Sequence, residues 1–217
     1  MQKTFVMSWS GGKDSALAYY RAVLEGHVPV ALLTMFEKDG SKSRSHGLPI
    51  EILEAQAERM GLPLEIGKAD WNGYEQEFVK QLKKFKNEGV EMGVYGDIDL
   101  EDHRAWVEKV SAEAEFGVNH PLWGRPRREL LEELIAEGFK AIITVVDTAR
   151  MDAKFLGREF TVELIEELET LGIDACGEEG EFHTVIIDGP IFVEAVPVQF
   201  GEVMEAEQYR LLEVKLQ

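Results

Sequence analysis

The chain has 217 residues, 45% of them hydrophobic, enough to close one large domain or one and a half around a core. Its 41 acidic against 23 basic side chains leave a formal charge of -18, which repels polyphosphate backbones and argues against extended nucleic-acid contact unless a local basic patch overrides it. A single cysteine, Cys176, excludes an internal disulfide and a cysteine-rich metal site and suits a reducing compartment, so a cytoplasmic chain is expected. The start MQKTFVMSW lacks the basic residues and long apolar run of a signal peptide, and no apolar stretch approaches the ~20 residues that span a bilayer.

The first half alternates β-rich runs with helical patterns: a strand over 4–9, a helix over 14–26, a strand over 28–36, a helix over 47–61 and a strand over 62–66. A helix over 74–88 and a strand over 92–95 follow, and within 101–116 the residues Trp106, Val110 and Ala114 recur at the four-residue spacing of an amphipathic helix. Such alternation predicts a doubly wound, mainly parallel α/β sheet covered on both faces. The segment HPLWGRPRR, 120–128, interrupts the rhythm with two prolines and a glycine, which places a domain boundary near Leu122 and divides the chain into 1–121 and 122–217. Beyond it the pattern predicts a helix over 129–137, a strand over 141–146 and a helix over 161–171. Short β-like runs at 184–187, 191–193, 196–200 and 209–216 then suggest antiparallel pairing in a smaller mixed α/β domain.

The stretch SWSGGKDSA puts bare backbone between the first strand and the first helix. The opening turn of a helix leaves N–H groups unpaired and concentrates partial positive charge, so a strand turning sharply into a helix makes an anion cradle. Gly11 and Gly12 suit the turn and let an anion approach the backbone. Lys13 adds a full charge, and Ser10 and Ser15 offer hydroxyls. Asp14 makes sense beside phosphates if a Mg²⁺ ion lies between them. The competing reading is a plain strand-to-helix turn capped by Asp14 or Ser15, which requires neither the lysine nor both serines.

The string SGGKDS, 10–15, lacks the Walker spacing and resembles the pyrophosphate-binding loop of the N-type ATP pyrophosphatases. Within that superfamily, SHGLPIEILEAQAERMGLPL (45–64), YGDIDLEDHRAWVEKV (95–110), PLW (121–123) and CGEEGEFHTVIIDGPIF (176–192) are similar to the motifs of the diphthine–ammonia ligase family, together covering the chain almost end to end. The resemblance implies an adenine-nucleotide (alpha hydrolase-like, Rossmann-like) fold in the first half and a second domain facing it across a cleft. It also implies ATP with Mg²⁺, transient adenylylation of a carboxylate with release of pyrophosphate, and attack by ammonia. The family's carboxylate belongs to a modified histidine on elongation factor 2. Eukaryotic and archaeal members tend to read GAI with S-x-Y-Q before the arginine, whereas this chain reads GDI with DLEDHRAW, a variation found in bacterial relatives linked to cobalamin salvage. A small-molecule acid is therefore the alternative substrate, and a tRNA-modifying or sulfur-transferring enzyme, or a non-catalytic ATP-binding regulator, remain rival classes. The charge and the lone cysteine oppose the sulfur-transfer reading.

The resemblance and the residues together nominate a site. Lys13 joins Glu178 and Glu181 of GEEGEF as catalytic candidates, because amide formation needs a proton taken from ammonium; a solvated acidic loop is the plain alternative for the glutamates. Nucleotide contacts are expected from Ser10, Gly11, Gly12, Lys13, Asp14, Ser15, His46, Gly96, Asp97 and Arg104, with Asp14 also as metal ligand. Asp97 follows a strand at its carboxyl end, where open α/β sheets collect ligands. Arg104 sits early in its helix, where a cation opposes the macrodipole, so helix formation gives it little purpose. Asp99, Glu101 and Asp102 read as cap and surface charges, Leu33, Thr34 and Met35 as core or adenine wall, His183 as solvent-facing and Cys176 as structural.

Overall fold

The computed structural model describes residues 1–44 and 46–217. Ser45, which opens the SHGLPIEILEAQAERMGLPL string, lies outside the described residues.

The first half builds a five-stranded sheet in the order β3-β2-β1-β4-β5, with every neighbouring pair parallel. Its elements are β1 (Thr4–Ser8), α1 (Lys13–Leu24), β2 (Val28–Phe36), α2 (Ile50–Met60), β3 (Leu64–Lys68), α3 (Tyr74–Asn87), β4 (Met92–Val94), α4 (Glu101–Glu113) and β5 (Gly117–Asn119). Strand β2 reads VPVALLTMF, nearly continuous in apolar residues, because helices cover it on both sides. Alternate β1 residues part to opposite faces. Phe5 and Met7 pack with α1 and α2, while Val6 packs with Leu33, Phe78 of α3 and Val110 of α4. Pro29, which has no N–H to give the ladder, coincides with a one-residue slip, Phe5 pairing with Pro29 but Val6 with Ala31.

The second half adds α5 (Arg127–Ala136), β6 (Lys140–Asp147), α6 (Val162–Thr170), β7 (Phe182–Asp188), β8 (Val198–Ala206) and β9 (Tyr209–Leu216). Its strands form a separate four-stranded antiparallel sheet in the order β7-β6-β9-β8. Helix α6 starts where Thr161 accepts the Leu164 amide at 3.2 Å, an ordinary side-chain cap. Apolar packing does not stop between the sheets: Phe5, Met7, Leu17 and Leu53 belong to the same buried cluster as Leu131, Ile143, Phe182 and Val185.

Three expectations are corrected. The run 191–193 is not a strand; after Gly189 and Pro190 it turns, and Ile191 and Phe192 pack half-buried against the core instead of pairing. Pairing at 196–200 begins only at Val198 but then runs to Ala206, through an irregularity between Phe200 and Val203. A short strand, β5, follows α4 where the sequence pattern gave none. Among the described residues no helix is long and apolar enough to cross a membrane.

Candidate active site

The carboxyl ends of β1 and β4 open onto a cleft of about 680 Å³. One side is the Ser10–Ser15 loop. Gly11 has φ +81°, the left-handed turn that carries the chain from β1 into α1. Ser10 and Ser15 meet hydroxyl to hydroxyl at 3.0 Å, and both line the cleft with Asp14. Gly96, after β4, abuts this loop so closely that a Cβ there would stand 3.0 Å from the Asp14 carbonyl carbon and 3.1 Å from the Ser15 nitrogen.

The loop is braced by the rest of the protein. Ile186 of β7 donates its amide to the Gly11 carbonyl at 2.9 Å, and the Lys13 amide donates to Thr184 Oγ1 at 3.1 Å. Gln56 of α2, fully buried, accepts from Trp9 Nε1 at 2.9 Å and donates to the carbonyls of Gly11 and Ile186 at 3.0 and 2.8 Å. A Cβ on Gly11 would fall 2.7 Å from Leu53, and one on Gly12 only 2.2 Å from His46, so the missing side chains make room first for the protein's own atoms.

Lys13 is buried, and its ammonium lies 2.8 Å from both carboxylate oxygens of Asp14. Burial opposes that charge, but Asp14, Cys176 and Glu178 outweigh it and raise the lysine above its ordinary value. Opposite stands Glu178, whose amide donates to Asp174 at 2.9 Å. Burial and the neighbouring Asp14 carboxylate push Glu178 up to about 7, against the pull of Lys13 and Arg127. Such a carboxyl exchanges its proton near neutrality.

His46 and His183 face each other with ring centroids 4.7 Å apart and planes tilted by 34°, and both line the cleft. His46 Nδ1 lies 2.7 Å from the Thr184 carbonyl, which can only accept; Nδ1 therefore carries the hydrogen and Nε2 keeps a lone pair. Burial pushes His46 down to about 4, and burial with the neighbouring His46 and Lys13 pushes His183 to about 3, so both are neutral at pH 7.

Ser10, Asp14, Ser15, His46, Gly96, Asp97 and Glu178 thus share one cleft, with Gly11, Gly12 and Lys13 in the loop behind it. Arg104 and Glu181 are not brought into its lining. Arg104 pairs with Glu108 at 2.7 Å and lies over the Trp123 ring at 4.8 Å, while the buried Glu181 accepts the Glu179 amide at 3.1 Å and approaches Arg150 at 3.7 Å. His183 faces the cleft and not solvent, and Asp102, read as a surface charge, lines it. Leu33, Thr34 and Met35 are buried, Thr34 binding the Trp9 carbonyl at 2.7 Å.

Sequence reasoning missed the far wall of the cleft, made by Trp71, Tyr74, Phe78 and Trp106 with Arg44 stacked over Trp71 at 4.7 Å. Its only signal was the clustering of aromatic residues at the start of α3 and one turn into α4. Among the described residues no group of three or more histidine, cysteine or carboxylate side chains is assembled as for a metal ion. Mg²⁺, however, is commonly held by one or two carboxylates plus phosphate oxygens, and Asp14, the expected metal ligand, lines the cleft.

Comparison with known proteins covers both halves. Residues 2–119 match the family model described as the diphthamide synthase N-terminal domain, and residues 127–215 the diphthamide synthase C-terminal domain. The diphthine–ammonia ligase of Mus musculus is 32% identical over 89% of this chain and 82% of its own length, and that of Danio rerio 31% identical over 89% and 85%. Among solved structures, a chain described as a predicted subunit of tRNA methyltransferase from Methanocaldococcus jannaschii aligns with a TM-score of 0.47 and 15% identity, covering 86% of this chain and 97% of that one.

Proposed function

Because the chain belongs to the diphthamide synthase family, whose curated relatives are diphthine–ammonia ligases, we propose that it joins a carboxylate to ammonia at the expense of ATP, through an adenylylated acid. The observation that carries this reading is the meeting of the Ser10–Ser15 loop and Glu178 on one cleft. A carboxylate oxygen of the substrate attacks the α-phosphorus, and the bond to pyrophosphate breaks. Ammonia then attacks the acyl carbon, and AMP leaves.

Each residue has a task. The amino end of α1, Ser10 and Ser15 hold the β- and γ-phosphates, and Lys13 neutralises charge gathering on the departing pyrophosphate. Asp14 would hold Mg²⁺, which would supply charge to screen the phosphates. Glu178, poised near neutrality, takes a proton from ammonium so that a lone pair is free to attack. His46 Nε2 accepts a hydrogen bond from ribose or from ammonium. Gly96 and Asp97 complete the nucleotide side of the cleft. Glu181 and Arg104 act, on this reading, by supporting their own segments.

The acid is diphthine on elongation factor 2 by family precedent. A second reading is a small-molecule acid, favoured by one observation: Asp102, His103 and Trp106, which line the cleft, lie in the DLEDHRAW segment where this chain departs from the eukaryotic and archaeal pattern.

The test is to incubate the protein with ATP, ammonium and either diphthine-bearing elongation factor 2 or a panel of small carboxylic acids, and to follow AMP and pyrophosphate. Equimolar AMP and pyrophosphate support adenylylation, and Lys13→Ala should abolish them. Formation of ADP and phosphate overturns the mechanism.

A further inference from the structure

Arg127 is the first residue of α5, where a cation opposes the helix dipole, so helix formation gives no reason for its charge. Its guanidinium is engaged elsewhere through all three nitrogens. Nε and Nη2 each donate at 2.7 Å to the two carboxylate oxygens of Asp99, and Nη1 donates at 2.7 Å to Asp174. Asp99 lies two residues beyond Asp97, in the connection between β4 and α4. Asp174 follows α6 and opens the turn that carries Glu178, accepting the Cys176 amide at 3.0 Å and the Glu178 amide at 2.9 Å. The Arg127 carbonyl receives the Cys176 thiol at 3.5 Å. The arginine therefore ties together two loops that come from different sheets and flank the same cleft.

We infer that Arg127 is a positioning residue for the reaction: by bridging Asp99 and Asp174 it fixes the Asp97 and Glu178 loops relative to each other and holds the Glu178 carboxyl at the cleft. The inference rests on the reading of Glu178 as the group that takes the proton from ammonium. A planar fork is required, since one side chain must satisfy two carboxylates in two directions; a lysine ammonium supplies the charge without that geometry. The other charged groups that act on Glu178 are Asp14, Lys13 and Asp99, so removing Arg127 leaves Lys13 as the only cation among them.

The experiment uses the full chain with Arg127→Gln and Arg127→Lys. Hydrogen exchange of the amides in 174–179 should quicken about tenfold or more in Arg127→Gln, with β6 and β7 unchanged, and Arg127→Lys should fall between it and the parent. Pyrophosphate release should lose about tenfold or more in kcat, with KM for ATP within about twofold. Arg127→Gln placed on Glu178→Gln should slow the enzyme no further, because an effect exerted through Glu178 has nothing left to act on. Unchanged exchange in 174–179, exchange raised across the whole chain, or fully multiplicative losses in the double variant each overturn the inference. If the parent chain releases no pyrophosphate, the adenylylation reading falls, and exchange in 174–179 decides for or against the bridge.

Discussion

The Lys13 amide donates to the Thr184 hydroxyl at 3.1 Å across 171 residues of chain, so the loop that opens α1 completes its hydrogen bonding on β7 of the other sheet. One N–H of the proposed anion cradle is thereby committed to the protein, and the cradle's shape depends on the second half of the chain. Thr184→Val keeps the strand and the volume but strands that amide. The expected cost is about 1–3 kcal/mol in urea unfolding, with weaker ATP binding by calorimetry. Unaltered stability and affinity together contradict the bracing role.

Gly12→Ala isolates a different contribution. Its φ of -101° is open to any residue, so the cost is packing alone. The new methyl would lie 2.2 Å from His46 Cε1 and 3.0 Å from the Thr184 carbonyl oxygen, forcing the imidazole off its bond to that carbonyl. Overpacking of this kind costs about 1–3 kcal/mol. Thermal unfolding should show the loss, and His46→Ala in the same chain should recover part of it by vacating the space.

The parallel half of the fold was legible because its strands and helices alternate with their own periods, and β2 announces a central, doubly covered strand by being apolar throughout. The glycine turn between β1 and α1 was legible for the same local reason: its glycines, lysine and serines are written within six residues. What local pattern does not carry is contact between distant segments. Nothing around Gln56 or Thr184 reveals that both would be spent on Gly11–Lys13, and His183, alternating within a β-run, gives no sign that its outward face meets His46. Arg104 and Glu181 are a different case. Arg104 was nominated by its motif and its place opposing the helix dipole, Glu181 by its motif and the need for a proton acceptor; in the structure they lie beside Glu108 and Arg150 and outside the cleft lining.

Acid should weaken the fold through the His46–His183 pair. Both imidazoles are held below their ordinary 6.5, at about 4 and about 3, so the unfolded chain binds protons that the folded chain refuses. Their contribution is complete above pH 6.5 and is lost as pH falls toward 4 and 3, at up to about 1.4 kcal/mol per pH unit for each ring. Glu178 works in the opposite sense, its contribution complete below its ordinary 4.5 and lost as pH rises through about 7. Between pH 4.5 and 6.5 it offsets one histidine. Urea midpoints at several pH values should therefore fall more steeply on acidification in Glu178→Gln and less steeply in His183→Gln. Parallel curves for all three proteins contradict the assignment.

Gln56 offers a contrast between a buried amide bonded at both its oxygen and its nitrogen and one bonded only at its nitrogen. Its three bonds reach β1's end, the glycine loop and β7, whereas Gln81, nearly as buried, donates to Glu77 at 2.7 Å while its oxygen has no partner among the described residues. Gln56→Leu leaves the Trp9 indole N–H without its partner and takes one donor from each of the Gly11 and Ile186 carbonyls, of which Gly11 keeps the Ile186 amide, and should cost about 2–4 kcal/mol, while Gln81→Leu should change stability by less than about 1 kcal/mol. Gln56→Glu is the finer test. An ionised carboxylate can accept from Trp9 but sets negative oxygens against the carbonyls of Gly11 and Ile186, whereas the protonated acid regains one donor. Relative to the parent at each pH, that variant should be less destabilised at pH 5 than at pH 8 in chemical unfolding. An equal penalty at both pH values would mean that the donation from Gln56 to Gly11 and Ile186 contributes nothing, and that the loop is held by its other contacts.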